Sequence, residues 1–190
     1  SQKSLLFEDQ HLERLRKASR YFAFPFDPEI LRQKIEAECQ TCDANQDYRL
    51  RISLSKSGEI EVERRVLTPL SPSFCQAQLC LQEADLNQAF TYFKTTHRPH
   101  LSLGEQEKIY HNKSGELLET SIGNLVLKIT GKLYTPPIRL GILPGIYRQH
   151  LLESGQVKEK VLTIEDLKGA EAIYGCNAVR GLYELSVKES

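Results

Sequence analysis

Lys94 is the first residue of this sequence whose type and surroundings could support chemistry. It lies in the run Phe90-Thr-Tyr-Phe-Lys-Thr-Thr, whose aromatic and β-branched residues favour a strand with one buried face. Burial disfavours the charged form of a lysine, so a buried Lys94 would present a free amine able to form a Schiff base. The alternative, which the run alone favours, is an exposed lysine on the outer face of the strand.

A Pro-Gly turn that leads into a helix is the second candidate. The run Leu143-Pro-Gly-Ile-Tyr-Arg148 predicts a helix from Ile146 to Ser154. The backbone N–H groups of Ile146 and Tyr147 would then lie at the positive end of the helix dipole, where they could bind a phosphate. The alternative is a turn that binds nothing.

Two charged residues complete the candidates. Glu119 lies between two strand-like runs and is followed by small and polar residues, which leave room for a ligand. A carboxylate there could accept a hydrogen bond from a protonated ring nitrogen, or it could be an exposed turn residue. Arg14 lies on the first predicted helix and is either a solvated side chain or the partner of a phosphate.

Composition limits the class of protein. The 25 Lys and Arg residues balance 25 Asp and Glu residues, so no basic surface for nucleic acid or an anionic membrane is indicated. No apolar stretch approaches the roughly 18 residues of a membrane span, and no signal peptide is evident. We therefore expect a soluble, cytoplasmic protein that acts on a small molecule and binds neither nucleic acid nor membrane.

The five cysteines are odd in number, which argues against a disulfide framework. Cys39 and Cys42 have the spacing of a metal or redox pair, but Cys75 and Cys80 are five residues apart and no histidine pair completes a zinc site. We expect reduced thiols and no metal.

The elements that must position these residues follow from the hydrophobic periodicity. The N-terminal part predicts helices over 8–22 and 29–38, a hairpin with strands 48–54 and 59–63, and a strand over 75–81. The predicted domain boundary lies near residue 83, which gives domains 1–82 and 83–190. In the second domain the pattern predicts helices at 146–154 and 165–168. It also predicts six strands, at 109–112, 117–119, 124–130, 157–163, 171–176 and 181–187.

Five motifs then stand in a recognisable order. They are Lys94-Thr-Thr-His-Arg98, the run from Gly115 to Asn124, Leu133-Tyr-Thr-Pro-Pro137, Leu143-Pro-Gly-Ile-Tyr-Arg148 and Asn177-Ala-Val-Arg-Gly181. In this order they resemble the class IV, or fold-type IV, enzymes that depend on pyridoxal 5′-phosphate (PLP). The helix that carries Arg14 resembles the early helix of that family, so the resemblance spans nearly the whole chain.

The resemblance implies both a fold and a site. The fold would be an α/β (α+β) two-domain enzyme, with a small N-terminal α/β domain and a C-terminal pseudo-barrel of mixed strands, and the enzyme would be a homodimer. Lys94 would hold PLP covalently and act as the catalytic residue, and Glu119 would face the pyridine nitrogen. The implied cofactor-binding set is completed by Arg14, Asn124, Gly145, Ile146, Tyr147 and Asn177.

Within this family the sequence looks most like 4-amino-4-deoxychorismate lyase, including the form fused to an aminodeoxychorismate synthase component. That resemblance implies release of 4-aminobenzoate and pyruvate for folate synthesis. One alternative is an aminotransferase for D-amino or branched-chain amino acids. Another is a degenerate domain of the same fold without catalytic activity.

Two departures from the family pattern accompany the resemblance. The sequence contains no methionine and begins at Ser1, where family members have a strand and a turn before the Arg14 helix, so we expect an incomplete chain. Only 24 residues separate Lys94 from Glu119, and Leu101 follows His100 where a helix is expected. Either that helix is absent from this protein or a stretch of sequence is missing there.

Overall fold

The computed structural model describes residues 5–82, 88–102 and 104–187. The chain divides into two compact units, Ser1–Pro69 and Leu70–Ser190. No helix within the described ranges is long and apolar enough to cross a membrane.

Two helices and a hairpin make up the N-terminal unit. Helix α1 spans Glu8–Phe22 and α2 spans Pro28–Gln40. Helix α2 begins where the Asp27 side chain accepts hydrogen bonds from two backbone N–H groups and Pro28 occupies the first helical position. Strands β1 (Tyr48–Leu54) and β2 (Ile60–Val66) pair antiparallel over their full lengths. Buried side chains from α2 and β2 form the core of this unit, namely Leu31, Ile35 and Ile60.

Eight strands make up the sheet of the C-terminal unit. They are β3 (Gln76–Leu81), β4 (Lys108–His111), β5 (Leu117–Thr120), β6 (Asn124–Ile129), β7 (Lys132–Thr135), β8 (Val157–Glu159), β9 (Ala172–Asn177) and β10 (Gly181–Val187). The order is β5-β4-β3-β10-β9-β6-β7-β8, and β5 also pairs with β6. That extra pairing closes six strands into a barrel, from which β7 and β8 extend. The predicted barrel of parallel and antiparallel strands is confirmed.

Short helices connect these strands. They are α3 (Gln88–Tyr92), a 3₁₀ turn at Ile138–Leu140, α4 (Ile146–Glu153) and α5 (Ile164–Lys168). Helix α5 begins with a capping box between Thr163 and Asp166. The largest core cluster contains leucine, isoleucine and alanine side chains of the barrel strands and of the segment at α5, namely Ala77, Ile109, Leu117, Leu125, Leu127, Leu162, Leu167 and Leu185.

Most predicted elements are confirmed, and three differ. The run around Phe90 forms the helix α3 rather than a strand, because a short apolar run indicates burial without distinguishing helix from strand. Strand β7 was not predicted. It returns along β6 through a two-residue turn at Thr130 and Gly131, which both have positive φ. The predicted strand 157–163 ends already at Glu159.

The division between the units also lies earlier than predicted. A boundary near residue 83 would place β3 in the N-terminal domain. In the structure β3 pairs in parallel with both β4 and β10, and these pairings make it part of the barrel. The chain therefore divides after Pro69, within the Pro- and Ser-rich run Thr68-Pro-Leu-Ser-Pro-Ser73.

Candidate active site

The barrel closes at a single residue pair, Glu119 on β5 and Asn124 on β6. The turn Thr120–Gly123 joins the two strands, and the Thr120 N–H donates to the Gly123 carbonyl at 2.9 Å. Both side chains of the pair are almost completely buried. A carboxylate and an amide therefore lie side by side at the seam of the barrel.

Glu119 is a buried acid in contact with a cation. The Arg98 Nη2 donates to Glu119 Oε1 at 3.2 Å. Burial raises the pKa of Glu119 to about 7, although Arg98, the Leu143 N–H and the Lys94 ammonium all act to lower it. A carboxyl group with this pKa changes its charge near neutral pH, as groups that exchange protons in active sites do.

His100 has a fully buried side chain whose Nε2 lies 3.9 Å from the same Glu119 oxygen. Burial and the neighbouring Arg98 lower its pKa to about 4, so the imidazole is neutral at pH 7. Neither ring nitrogen has a hydrogen-bond partner within the described part of the chain, and the Arg98 Nε has none either. Buried polar atoms left unpaired are costly. These nitrogens are placed beside Glu119 where they can bind a polar ligand.

Asn124 fixes the Pro-Gly turn that precedes α4. Its Nδ2 donates to the Leu143 carbonyl at 2.8 Å. A Cβ atom on Gly145 would lie only 2.0 Å from Asn124 Oδ1, so no larger residue fits there without displacing the asparagine. Gly145 provides no side-chain cap for α4. The start of the helix is thus held beside the seam with its N-terminal backbone donors uncapped by a side chain, which suits an anion such as phosphate.

Asn177 connects the turn between β9 and β10 to the same region. Its Oδ1 accepts hydrogen bonds from the Val179 and Arg180 N–H groups, both at 3.0 Å. Its Nδ2 donates to the Ile122 carbonyl at 3.3 Å, within the turn that joins β5 to β6. Asn177 therefore fixes two turns of the site against each other.

A second buried carboxylate lies under that turn. Glu107 has no exposed surface, and its Oε1 accepts from the Ser121 N–H at 2.8 Å. Its Oε2 accepts from the Tyr183 hydroxyl at 3.1 Å, which lies 3.4 Å from Thr120 Oγ1. Burial raises the pKa of both Glu107 and Tyr183. Sequence reasoning did not find this pair, because a glutamate just before a strand resembles an exposed loop residue.

Lys94 differs from its predicted environment. It lies two residues beyond the end of α3, outside regular structure, and is exposed rather than buried in a strand. Its ammonium still acts on Glu119, whose pKa it helps to lower. The predicted strand is therefore wrong. Of the two environments left open, the exposed one that the run alone favours is found, and the electrostatic effect of Lys94 on Glu119 supports their expected proximity.

The structure brings the predicted residues of the C-terminal unit together around one turn. Asn124 and Gly145 are in direct contact, and Asn177 hydrogen-bonds the turn that begins after Glu119. The Tyr147 hydroxyl lies 3.3 Å from the position of a Cβ atom on Gly181, so the start of α4 also packs on the β9–β10 turn. Ile146 is the first residue of α4 and is buried.

Arg14 belongs to the N-terminal unit, where its Nη2 lies 3.3 Å from His11 Nδ1 on the same helix. Its contact with a phosphate stays a prediction. Arg98 and His100 were not predicted as site residues. The signal that could have indicated them is their position four and six residues after Lys94.

The fold of this chain, with its closed barrel, matches the folds of several solved structures. A crystal structure from Mesorhizobium loti, whose name assigns it provisionally as an amino-acid aminotransferase, superposes with a TM-score of 0.84 at 27% identity. The match covers 98% of this chain and 94% of that one. The chain belongs to the amino-transferase class IV family, whose model matches residues 1–186.

Similar proteins carry both lyase and aminotransferase names. The aminodeoxychorismate lyase of Saccharomyces cerevisiae is 24% identical, with 95% of this chain and 67% of the yeast protein covered. A hypothetical aminotransferase from Mycobacterium tuberculosis, solved with α-ketoglutarate and PMP bound, superposes with a TM-score of 0.77 at 18% identity over 96% of this chain and 76% of that one. The chain spans 61% to 79% of the length of the curated relatives that it matches.

The family pattern predicts a helix after His100, and the structure can be compared with that expectation over the described residues. The described residues between α3 and β4, 93–102 and 104–107, contain a turn at Pro99 and His100 but no helix. The near-complete coverage of the Mesorhizobium loti chain means that the same fold has been solved in a protein of similar length. In this chain the family helix was expected after His100, and the described residues there, 101–102 and 104–107, form no helix.

The class IV family consists of PLP-dependent enzymes, and the residues present fit that cofactor. Glu119 is a buried carboxylate suited to a protonated ring nitrogen, and the turn at Gly145 presents backbone donors suited to a phosphate. The unpartnered nitrogens of Arg98 and His100 are further donors for a ligand that carries oxygen atoms.

Proposed function

We propose that this chain binds PLP and acts as a 4-amino-4-deoxychorismate lyase, which converts its substrate to 4-aminobenzoate and pyruvate. The observation that carries the proposal is the buried Glu119 carboxyl, which lies within the electrostatic reach of Lys94 and next to Asn124. The lyase name of the yeast relative supports this reaction.

Each residue has a defined task in the proposed reaction. Bound PLP would supply an electron sink, which is the chemistry that the cofactor contributes. Glu119 would hold a proton at the ring nitrogen, so that the sink is strong. The Lys94 Nζ would hold the cofactor and, once released by substrate, would move the proton of the substrate carbon that bears the amine.

The phosphate would lie at the start of α4. The backbone N–H groups of Ile146 and Tyr147 would donate to it, Gly145 would keep the approach open, and Asn177 would hold the neighbouring turn in place. Arg14 would add a guanidinium, as the family resemblance implies. We also propose that the protein is a homodimer and is cytoplasmic. Light scattering on the purified protein measures its molar mass and so tests the dimer.

An aminotransferase is the second candidate, and the name of the Mesorhizobium loti structure favours it. The two activities differ in the fate of the amino group. An aminotransferase leaves it on the cofactor as pyridoxamine phosphate, whereas the lyase releases it within 4-aminobenzoate and regenerates PLP.

The first experiment tests the cofactor. The protein is saturated with PLP, reduced with borohydride and digested, and mass spectrometry locates the adduct. We expect it on Lys94, absent from Lys94→Ala and retained in Lys132→Ala, which changes an exposed lysine of β7. An adduct on another lysine, or none, contradicts the proposal.

The second experiment separates the two activities. Incubation with 4-amino-4-deoxychorismate should give 4-aminobenzoate and pyruvate in equal amounts. Incubation with D-alanine or a branched-chain amino acid should leave the PLP spectrum unchanged. Conversion of PLP to pyridoxamine phosphate by these amino acids, without lyase activity, would favour the aminotransferase.

A further inference from the structure

Arg98 is the cation in closest contact with the acid at the barrel seam. Its Nη2 lies 3.2 Å from Glu119 Oε1, and its side chain is only 17% exposed, against 4% for that of Glu119. A charge-assisted hydrogen bond in such surroundings is stronger than an exposed ion pair. Arg98 is thus placed to control the charge of Glu119.

The other groups that face Glu119 are few in the described ranges. Lys94 and His100 come from the same segment as Arg98, and the Leu143 N–H comes from the turn before α4. Asn124 faces it from β6 as a neutral amide. Lys94 is exposed and lowers the pKa of Glu119 less than Arg98 does, and His100 is neutral at pH 7 because burial and Arg98 lower its pKa to about 4. Arg98 is therefore the dominant charged neighbour.

This arrangement has a consequence for any proton that Glu119 shares with a ligand. A buried cation favours the carboxylate over the protonated carboxyl group. The same cation disfavours a second positive charge, such as a protonated ring nitrogen, on the other side of the carboxylate. Both effects reduce the affinity of the site for the proton.

We propose that Arg98 is a positioning residue that sets how tightly Glu119 holds a proton, alone and when it shares that proton with the cofactor ring nitrogen. The part that concerns the ring nitrogen rests on the proposed function. The part that concerns Glu119 alone does not, because it applies to the cofactor-free protein.

The first test uses the cofactor-free protein. The Glu119 carboxyl is followed by infrared difference spectroscopy against pH and is identified by the band that Glu119→Gln removes. Arg98→Gln should raise the midpoint of this titration by about one pH unit or more, as expected for the loss of a close opposite charge. Arg139→Gln, which removes an exposed arginine near the 3₁₀ turn, should leave the midpoint unchanged.

A conservative variant keeps the test informative. Arg98→Lys retains the positive charge on a side chain that cannot form the same planar contact, so its midpoint should rise by less than that of Arg98→Gln. Circular dichroism shows whether each variant folds. If Arg98→Gln does not fold, the titration midpoint of Arg98→Lys tests the proposal instead. An unchanged or lower midpoint in the folded variants overturns the proposal.

The second test uses the protein loaded with PLP labelled with ¹⁵N in the ring. The ¹⁵N chemical shift reports the protonation of the ring nitrogen without reference to catalysis. In Arg98→Gln the ring nitrogen should stay protonated to a pH about one unit higher than in wild type. A shift of Glu119 alone, without a change at the ring nitrogen, overturns the cofactor part of the proposal. Absence of PLP binding in wild type would instead contradict the proposed function and leave the first test valid.

Discussion

Glu119 illustrates how a single acid acquires a function from its surroundings. The residue is common in turns and strands, and its ordinary pKa is near 4.5. Burial at the seam of the barrel raises that pKa to about 7 in spite of three groups that act to lower it. Because burial and the neighbouring donors and cations oppose each other, adding or removing one charged or hydrogen-bonding group beside Glu119 changes whether the carboxyl group is protonated.

Glu119→Gln should separate cofactor binding from chemistry. The amide is nearly isosteric, so PLP should still bind through Lys94 and the phosphate contacts. An uncharged partner no longer stabilises a protonated ring nitrogen, and turnover should fall by orders of magnitude. Absorbance of bound PLP and initial rates of pyruvate release measure the two effects. Wild-type rates in the variant would mean that Glu119 has no part in the reaction.

The turn between β5 and β6 is the element on which the site depends. Its backbone carries Glu119 and Asn124 at its two ends. Three contacts hold it, from Glu107 to the Ser121 N–H, from Tyr183 to Thr120, and from Asn177 to the Ile122 carbonyl. Because these contacts come from three different parts of the chain, the turn takes up this position only when those parts have assembled into the barrel.

Glu107→Gln should weaken both the barrel and the site. The glutamine has one acceptor oxygen where the carboxylate has two, so either the Ser121 N–H or the Tyr183 hydroxyl can no longer donate to this side chain. Such a loss costs ~1–3 kcal/mol of stability for a buried group. If the turn positions Glu119 and Asn124, then the Kd for PLP should also rise by several-fold, as measured by titration of absorbance.

The matched control is Glu105→Gln, at an exposed glutamate on the same segment, which should change neither quantity. Tyr183→Phe removes the same hydroxyl contact from the other side and should reproduce the direction of both effects. A lower melting temperature with an unchanged Kd in Glu107→Gln would limit the role of Glu107 to stability.

At the scale of the whole molecule, closure of the barrel joins residues that are far apart in sequence. Arg98, Glu119, Leu143 and Asn177 span 80 positions of the chain, yet all belong to one cluster of contacts around the seam. Antiparallel hairpins and the parallel pairings of β3 together produce this convergence. The two buried titratable groups of the cluster, Glu119 and His100, should make the stability of the protein depend on pH.

The two groups should act with opposite sign in the cofactor-free protein. The folded state raises the pKa of Glu119 from 4.5 to about 7, so its stabilising contribution is present below pH 4.5 and is lost as the pH rises to about 7. The folded state lowers the pKa of His100 from 6.5 to about 4, so its contribution is present above pH 6.5 and is lost as the pH falls to about 4. In wild type the two dependences oppose each other between pH 4.5 and 6.5.

Single variants should reveal each dependence. In His100→Gln the free energy of unfolding, measured in urea, should fall more steeply than in wild type as the pH rises from 4.5 to 6.5, because His100 no longer opposes Glu119 and the raised pKa of Glu107 acts in the same direction as that of Glu119. In Glu119→Gln the slope of the free energy of unfolding against pH should be more positive than in wild type over the range from about 4 to 6.5. The same slope in both variants would show that these groups do not control the pH dependence.

Local patterns in the sequence determined most of the secondary-structure elements and the family of this protein. Helical and alternating periodicities predicted α1, α2 and the β1–β2 hairpin nearly to the residue, because each of these elements forms within its own segment. The motifs around Lys94, Glu119 and Gly145 indicated the family, which the match over residues 1–186 confirms. Asn124 belongs to the motif of Glu119, and Asn177 begins the motif Asn177-Ala-Val-Arg-Gly181.

Only the tertiary structure decided the surroundings of these residues. Whether Lys94 is exposed, which cation meets Glu119 and whether Glu107 is buried depend on contacts between segments that are distant along the chain. The aromatic run before Lys94 indicated burial without indicating a helix. Burial and long-range charge contacts set the pKa values of the site, and they exist only after the barrel has closed.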